Sequence, residues 1–484
     1  MDSNRNRWLL LGIAATLASA AGFWFGTGLE PVWWVTWLAP LPVLWLATRV
    51  RTSAAAFAAA ISVLISVGNQ WVYLHEYIRL PLPVILVSVT VMALVFAAVV
   101  LLYRRLALRG QQLAAMLSVP LLWTAVAFGN AALSPHGTWG DLAYTQMNAL
   151  PVIQVAALTG LWGIGFSVML GAACLAVLCN AAVTQRTRMR TVAVGAATIA
   201  LSIGYGSWRL HDDAATGSAK IGMVSLQNEK PEVPTEPAGE ALVARYLAVL
   251  GQFADSGAQY AVLPEVTLRV GEPDVAALRE FAQRRGMTVL VGADLKAAGA
   301  PERNVSLTFD AHGSVTAYNK QHMVPVLEDR FTPGTGTTLL DGTRVGLTIC
   351  KDNDFPALGR AYGARDAQLL LVPAWDFRLD DWLHSRMAIL RGVESGFAMA
   401  RSAREGRLTL SDDRGRVLAE VSSVQRDAQV VGELPLRETH TVYARFGDWF
   451  AWLCVAGLAA VLWQARPRRS GATVRIAPRT GMAV

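Results

Sequence analysis

The chain has 484 residues, 53% of them hydrophobic and only 16% charged, where a soluble domain carries about 25% charged residues. That balance excludes an ordinary soluble protein, and four cysteines in the whole chain exclude a disulfide-built scaffold. The net charge of +7 sits in arginine clusters between apolar runs, so it requires no nucleic-acid partner.

Crossing a hydrocarbon core takes roughly 20 apolar residues as a helix. Such spans are predicted near 8–28, 32–48, 54–70, 83–103, 113–133, 152–180 and 192–209, with a solitary eighth near 446–464. The first follows Arg5 and Arg7 and contains Ala18-Ser19-Ala20, which suits a cleaved signal peptide. Because further apolar spans follow at once, it is read as a retained helix. Arg49 and Arg51, Arg104, Arg105 and Arg109, Arg186, Arg188 and Arg190, and Arg466, Arg468 and Arg469 fall in alternate loops on the same side as Arg5 and Arg7. The positive-inside rule makes that side the cytoplasm. The expected organisation is a seven-helix transmembrane domain over 1–212, an extracytoplasmic domain over 218–440, an eighth helix over 446–464, and a disordered cytoplasmic tail over 465–484.

Within 218–440, strand candidates at Lys220–Leu226, Tyr260–Leu263, Thr288–Val291, Val305–Phe309, Val315–Tyr318, Val345–Ile349 and Gln368–Val372 are β-rich apolar runs. Helical patterns cover Glu240–Phe253, Val275–Arg285, Phe355–Tyr362 and Asp381–Gly396. The alternation predicts a layered α/β or α+β domain. Arg404, Glu405 and Arg407 read as an exposed loop. Arg391 and Glu394, three apart on the last helix, read as an ordinary ion pair.

Three reactive residues stand at or just beyond strand ends, where ligands gather in open α/β sheets. Glu265 follows the strand ending at Leu263, Lys320 comes two residues after Tyr318, and Cys350 follows Ile349. Cys350 is the only cysteine of 218–440, since Cys174, Cys179 and Cys454 fall in predicted spans. A thiol attacks as thiolate and needs a base. Glu265 is the candidate base, Lys320 the candidate holder of the oxyanion, and the backbone N–H of Lys351 a second donor. His322 and His384 lack a second histidine at helical spacing, so no metal site is expected.

The segments Leu263-Pro264-Glu265, Tyr318-Asn319-Lys320-Gln321-His322-Met323-Val324-Pro325 and Gly346-Leu347-Thr348-Ile349-Cys350 resemble the nitrilase superfamily of carbon–nitrogen hydrolases. The resemblance implies a four-layer αββα sandwich beside the α-helical membrane domain. It also implies Glu265 as base, Lys320 as oxyanion holder, Cys350 as nucleophile, and Glu328, eight residues after the lysine, as an orienting acid. Tyr144-Thr145-Gln146, Pro151-Val152-Ile153-Gln154-Val155, Thr159-Gly160-Leu161-Trp162-Gly163 and Thr441–Trp449 further resemble one branch, the apolipoprotein N-acyltransferases. That likeness implies a multi-pass enzyme of the bacterial cytoplasmic membrane without a cofactor. Its acyl donor would be a membrane phospholipid, its intermediate a Cys350 thioester, and its acceptor the N-terminal α-amine of diacylglyceryl-cysteine in an apolipoprotein.

Two local departures set further expectations. The run Cys350-Lys351-Asp352-Asn353-Asp354-Phe355-Pro356 is closer to soluble amidases than to the aromatic-then-Glu pattern of the acyltransferases. Lys351 and Asp352 are therefore the candidates for supporting the site, Lys351 either as a cation that lowers the thiol pKa or as a side chain turned into solvent. Only 29 residues separate Lys320 from Cys350, and Glu328–Gly336 is polar and turn-rich where the family places an apolar arm. Trp375, Phe377 and Trp382 are the candidates for apolar contacts to the acyl chain, with aromatic core packing as the other reading. The same departures motivate an alternative, a membrane-tethered amidase that uses water as acceptor.

Overall fold

The computed structural model describes residues 2–211 and 214–466. The expected tail lies outside the described residues from 467 onward. Among the described residues, six helices are long and apolar enough to cross a membrane, namely Asn6–Gly26, Thr52–Gln70, Leu82–Leu108, Gln112–Leu133, Leu161–Leu178 and Gln185–His211. Trp33–Ala47, Leu150–Thr159 and Trp449–Gln464 are shorter apolar helices.

Two expected spans are thus broken. The run 32–48 divides into Trp33–Thr36 and Leu41–Ala47 around Pro40, where proline removes a backbone donor and disfavours helix in the residue before it. The run 152–180 divides at Gly160, which has φ 68°. The ring of Tyr443 lies so close that a Cβ there would stand 2.4 Å from Cε2, so only glycine fits. Leu161–Leu178 then begins afresh and runs through the middle of the bundle, 89% buried. Its Gly, Ala and Ser residues let neighbouring helices approach closely.

The loop arginines gather at one end of these helices. Arg49 donates to the carbonyl of Cys179 at 3.0 Å, and Arg105 and Arg109 donate to that of Ala465 at 2.8 and 2.6 Å. The opposite end, at Leu161 and Asp448, meets the globular domain.

Thirteen strands build that domain in two sheets. In chain order β1 is Gly217–Ser225, β2 Tyr260–Val262, β3 Leu268–Val270, β4 Thr288–Leu295, β5 Arg303–Phe309, β6 Val315–Asn319 and β7 Thr338–Leu339. They continue with β8 Val345–Leu347, β9 Leu369–Trp375, β10 Ala398–Arg404, β11 Arg407–Ser411, β12 Val417–Ser422 and β13 Ala428–Leu436. One sheet runs β13-β1-β2-β4-β5-β6, with β3 also on β4; the other runs β12-β11-β10-β9-β8-β7. Ile221, Met223, Val262, Leu290, Leu347, Leu371, Ala400 and Leu410 fill the space between the sheets. Helices Pro237–Asp255 and Ala276–Arg285 cover the first sheet, and Pro356–Gly363 and Asp381–Ser395 the second. The domain is the αββα sandwich.

Asp381–Ser395 is apolar on two faces for a reason. Ala388 packs toward Leu370 and Val372 of the second sheet and Phe397 just before β10. Leu383, Met387, Leu390 and Val393 pack against Tyr144, Val152, Ile153, Leu161 and Trp162 of the helical part. One helix therefore serves as the outer layer of the sandwich and as its seat on the bundle.

Candidate active site

Glu265 arrives from β2 along a closely held strand end. Leu263 N–H donates to Leu290 and Gly292 N–H to Pro264, at 2.8 and 3.0 Å. A Cβ on Gly292 would stand 2.4 Å from Glu265 Cα, so a larger residue would push the carboxylate out of place. Lys320 follows β6, its N–H donating to Asn304 O at 2.9 Å. Cys350 opens a 3-10 helix, Cys350–Asp354, directly beyond β8. Val266 and Cys350 have φ of 48° and 40°, left-handed values that non-glycine residues adopt at a cost of about 1–3 kcal/mol. Strain thus falls at two of the three strand ends.

The side chains converge. Lys320 Nζ donates to Glu265 Oε1 at 2.7 Å and to both Glu328 oxygens at 2.8 and 2.7 Å. Asn304 Nδ2 bridges the same two carboxylates at 2.7 and 2.9 Å. Burial raises the pKa of Glu265, with Lys320 opposing and Glu328 adding to the rise. The carboxylate is held by its cation yet is a stronger base than usual. Burial also pushes the Cys350 thiol well up, with Glu265 adding to it and Lys320 and Arg401 opposing. The thiol therefore keeps its proton until a base removes it.

Glu265, Lys320, Glu328 and Cys350 line one cavity of about 950 Å³. Val324, Leu327, Phe331, Trp375 and Phe377 form its apolar wall, joined by Tyr77 from the segment between two membrane helices. The segment after Lys320, read from Glu328 onward as polar, thus begins with three apolar contributors. Cys350 Sγ lies 3.6 Å from the carbonyl of Trp375.

Several expectations need correction. Lys351 does not face the thiol. It is buried, with Nζ 3.2 Å from Asp354 Oδ2 and 3.5 Å from His136 Nδ1 of the helical part, because a 3-10 helix turns each successive residue by a third of a circle. Trp382 is buried in the seam between the two parts rather than in the cavity. Arg404 and Arg407 are not a loop: they end β10 and begin β11. Arg401, Ser402 and Arg404 interrupt the apolar pattern of β10 in the sequence. The pair Arg391–Glu394 is fully buried, at 3.0 Å.

Asp352 does support the cluster, through geometry that its position alone did not reveal. It accepts from the N–H groups of Gln321, His322 and Ile349 and from Tyr318 Oη, at 2.7–3.1 Å. One carboxylate so ties the Lys320 segment to the Cys350 turn. Sequence reasoning missed Asn304 and the buried pair Arg401–Asp376, joined at 2.8 Å. An amide and a cation inside strands β5 and β10 were the available signals.

Comparison with known proteins follows the same division. Residues 11–174 match the apolipoprotein N-acyltransferase N-terminal domain, and residues 224–446 match carbon-nitrogen hydrolase. The apolipoprotein N-acyltransferase of Geobacter metallireducens is 29% identical over 419 residues, covering 79% of this chain and 80% of its own. That of Azotobacter vinelandii is 28% identical over 454 residues, covering 84% and 85%. Among solved structures, NitN amidase from Nesterenkonia sp. AN1 is similar at 20% identity and TM-score 0.39, covering 49% of this chain and 98% of its own.

Proposed function

We propose that this chain, which belongs to the apolipoprotein N-acyltransferase family, moves an acyl chain from a membrane phospholipid through a Cys350 thioester to the N-terminal α-amine of a diacylated lipoprotein. The observation that carries this reading is the cluster itself: a buried lysine clamped between the buried Glu265 and the half-buried Glu328 on the wall of the cavity that holds a strained cysteine. Glu265 takes the thiol proton as sulfur attacks the ester carbonyl. Lys320, fixed by Glu265 and Glu328, holds the developing oxyanion, with the Lys351 N–H as second donor. The C–S bond forms, the ester C–O bond breaks, and the lysophospholipid alcohol leaves with the proton from Glu265. The acceptor amine then attacks the thioester, its proton passes to Glu265, and the thiol is regenerated as the amide forms.

Both substrates are anchored in a bilayer, so a site seated on the helix bundle meets them without a search through bulk water. Tyr77 on the cavity wall, from the segment between two apolar helices, supports a site close to the lipid surface. The arginine side chains at the far end of the helices support a cytoplasmic-membrane orientation with the catalytic domain outside.

The test is a mass measurement. Full-length protein incubated with labelled phospholipid gains one acyl group on Cys350, and a diacylated cysteine peptide discharges it. No adduct, together with hydrolysis of small amides, would replace transfer by the amidase reading.

A further inference from the structure

Five arginine or lysine residues line the cavity, and three of them face carboxylates. Lys320 is held by Glu265 and Glu328. Arg330 lies 3.4 Å from Glu302 and 3.6 Å from Asp294, and Arg378 lies 2.8 Å from Glu405. Of the two without an ion pair among the described residues, Lys230 is exposed to solvent and Arg404 is buried. It is only 3% exposed and has no carboxylate within ion-pair distance among the described residues. Its Nη1 is buried without a hydrogen-bond partner. The guanidinium carbon sits 4.2 Å from the centre of the Trp375 ring, a contact that fixes the plane of the fork and compensates only part of the lost hydration.

Its position relates it to the thiol. Arg404 pairs with Trp375 across the parallel strands β10 and β9, and the carbonyl of the same Trp375 lies against Cys350 Sγ. The cation and the nucleophile thus flank one residue. A glycerophospholipid has the matching arrangement, with a phosphodiester and an acyl ester separated by the glycerol backbone.

We propose that Arg404 receives the phosphodiester of the acyl donor, its fork donating to two non-bridging oxygens. The glycerol ester then falls at Cys350 and the acyl chain along Val324, Leu327 and Tyr77. This assignment rests on the phospholipid-dependent reading above. It makes the phosphate a recognised part of the donor, and predicts discrimination against a neutral diglyceride carrying the same esters.

The experiment uses full-length C350A protein in neutral detergent, with bound lipid counted by native mass spectrometry. Dioctanoyl phosphatidylglycerol should bind at least about tenfold more tightly than dioctanoylglycerol, in line with a charge-assisted contact. R404Q should bring the two lipids to near equality while leaving diglyceride binding unchanged, which also shows that the variant is folded. R404K, keeping charge but losing the fork, should retain only part of the preference. Full preference in either variant overturns the proposal. Displacement of the lipid by millimolar inorganic phosphate overturns the lipid assignment in favour of a free-phosphate site. If the binding preference holds while the protein with Cys350 intact takes no acyl group from phospholipid, the transfer reading fails and the Arg404 site stands.

Discussion

Two regions of this molecule bury charge, and they do so to different ends. At the strand ends Glu265, Lys320, Glu328 and Cys350 are brought to one wall of a cavity, so that their charges act on whatever enters. At the seam between sandwich and bundle, charges face one another across the junction. Arg391 reaches Tyr144 Oη at 3.0 Å, and Glu394 accepts from Leu161 N–H at 2.7 Å. Glu394 thereby caps the buried helix Leu161–Leu178 from another domain, satisfying one of the amides that a helix leaves open. Asp380 accepts from Tyr73 Oη and lies 2.9 Å from His384 Nδ1. The same residue types make a reactive surface where they converge on space, and an attachment where they converge on each other.

The largest expected effect separates these roles. Glu265→Gln keeps the size of the side chain and leaves Lys320 paired with Glu328, so the fold should persist while thiol activation is lost. Thioester formation should fall about 10²–10⁴-fold, the usual worth of a general base, with little change in unfolding temperature. A rate that stays within about threefold would remove Glu265 as the base.

At the seam the effects reverse. Arg391→Met leaves Glu394 buried without its cation, which typically costs about 3–5 kcal/mol. Thermal unfolding in detergent should drop sharply. The double variant Arg391→Met/Glu394→Gln should recover part of that loss, whereas equal losses in single and double variants would argue against a coupled pair.

How much of each region the sequence discloses follows from the same contrast. Glu265, Lys320 and Cys350 were legible because each stands where an apolar run stops, and strand ends are visible in a linear pattern. Asn304 and Arg401 were not, because they sit inside strands and owe their burial to partners about 25–40 positions away, on other elements. Lys351 was placed wrongly because adjacency in sequence says nothing about direction in a 3-10 turn. The seam was the least legible. Arg391 and Glu394 look like any surface pair at i,i+3, and Gly160 gives no warning that Tyr443 lies against it. In β10 the polar run Arg401, Ser402 and Arg404 breaks the apolar pattern that marks a buried strand.

A pH series sharpens the role of the seam. Burial alone would lower the pKa of His384, but Asp380 outweighs it and raises the imidazole to about 9. Asp376 and Asp354 act in the same direction. A group that binds its proton more tightly when folded stabilises fully below its ordinary value of 6.5, and the contribution is lost as pH rises through about 9. The interval is worth on the order of 3 kcal/mol. Unfolding temperature should therefore decline across that window, and His384→Asn should flatten the decline. An unchanged slope in the variant would assign the decline to other groups.

The smallest effect tests whether the two regions are separate at all. Thr138, in the helical part, donates through N–H and Oγ1 to the carbonyl of Asp354, at 3.0 and 2.7 Å. Asp354 closes the short helix that Cys350 opens, so five residues join the seam to the nucleophile. The first half of that helix is already fixed from within the sandwich, since Asp352 binds Ile349, Gln321, His322 and Tyr318. Thr138→Val removes one of the two bonds at the far end and should cost about 1 kcal/mol of stability. The rate of Cys350 acylation should stay within about threefold, because the thiol is positioned by Asp352 and not by the bundle. A large fall in acylation at unchanged stability would mean that the helical part sets the geometry of the cysteine, and that the seam belongs to the site.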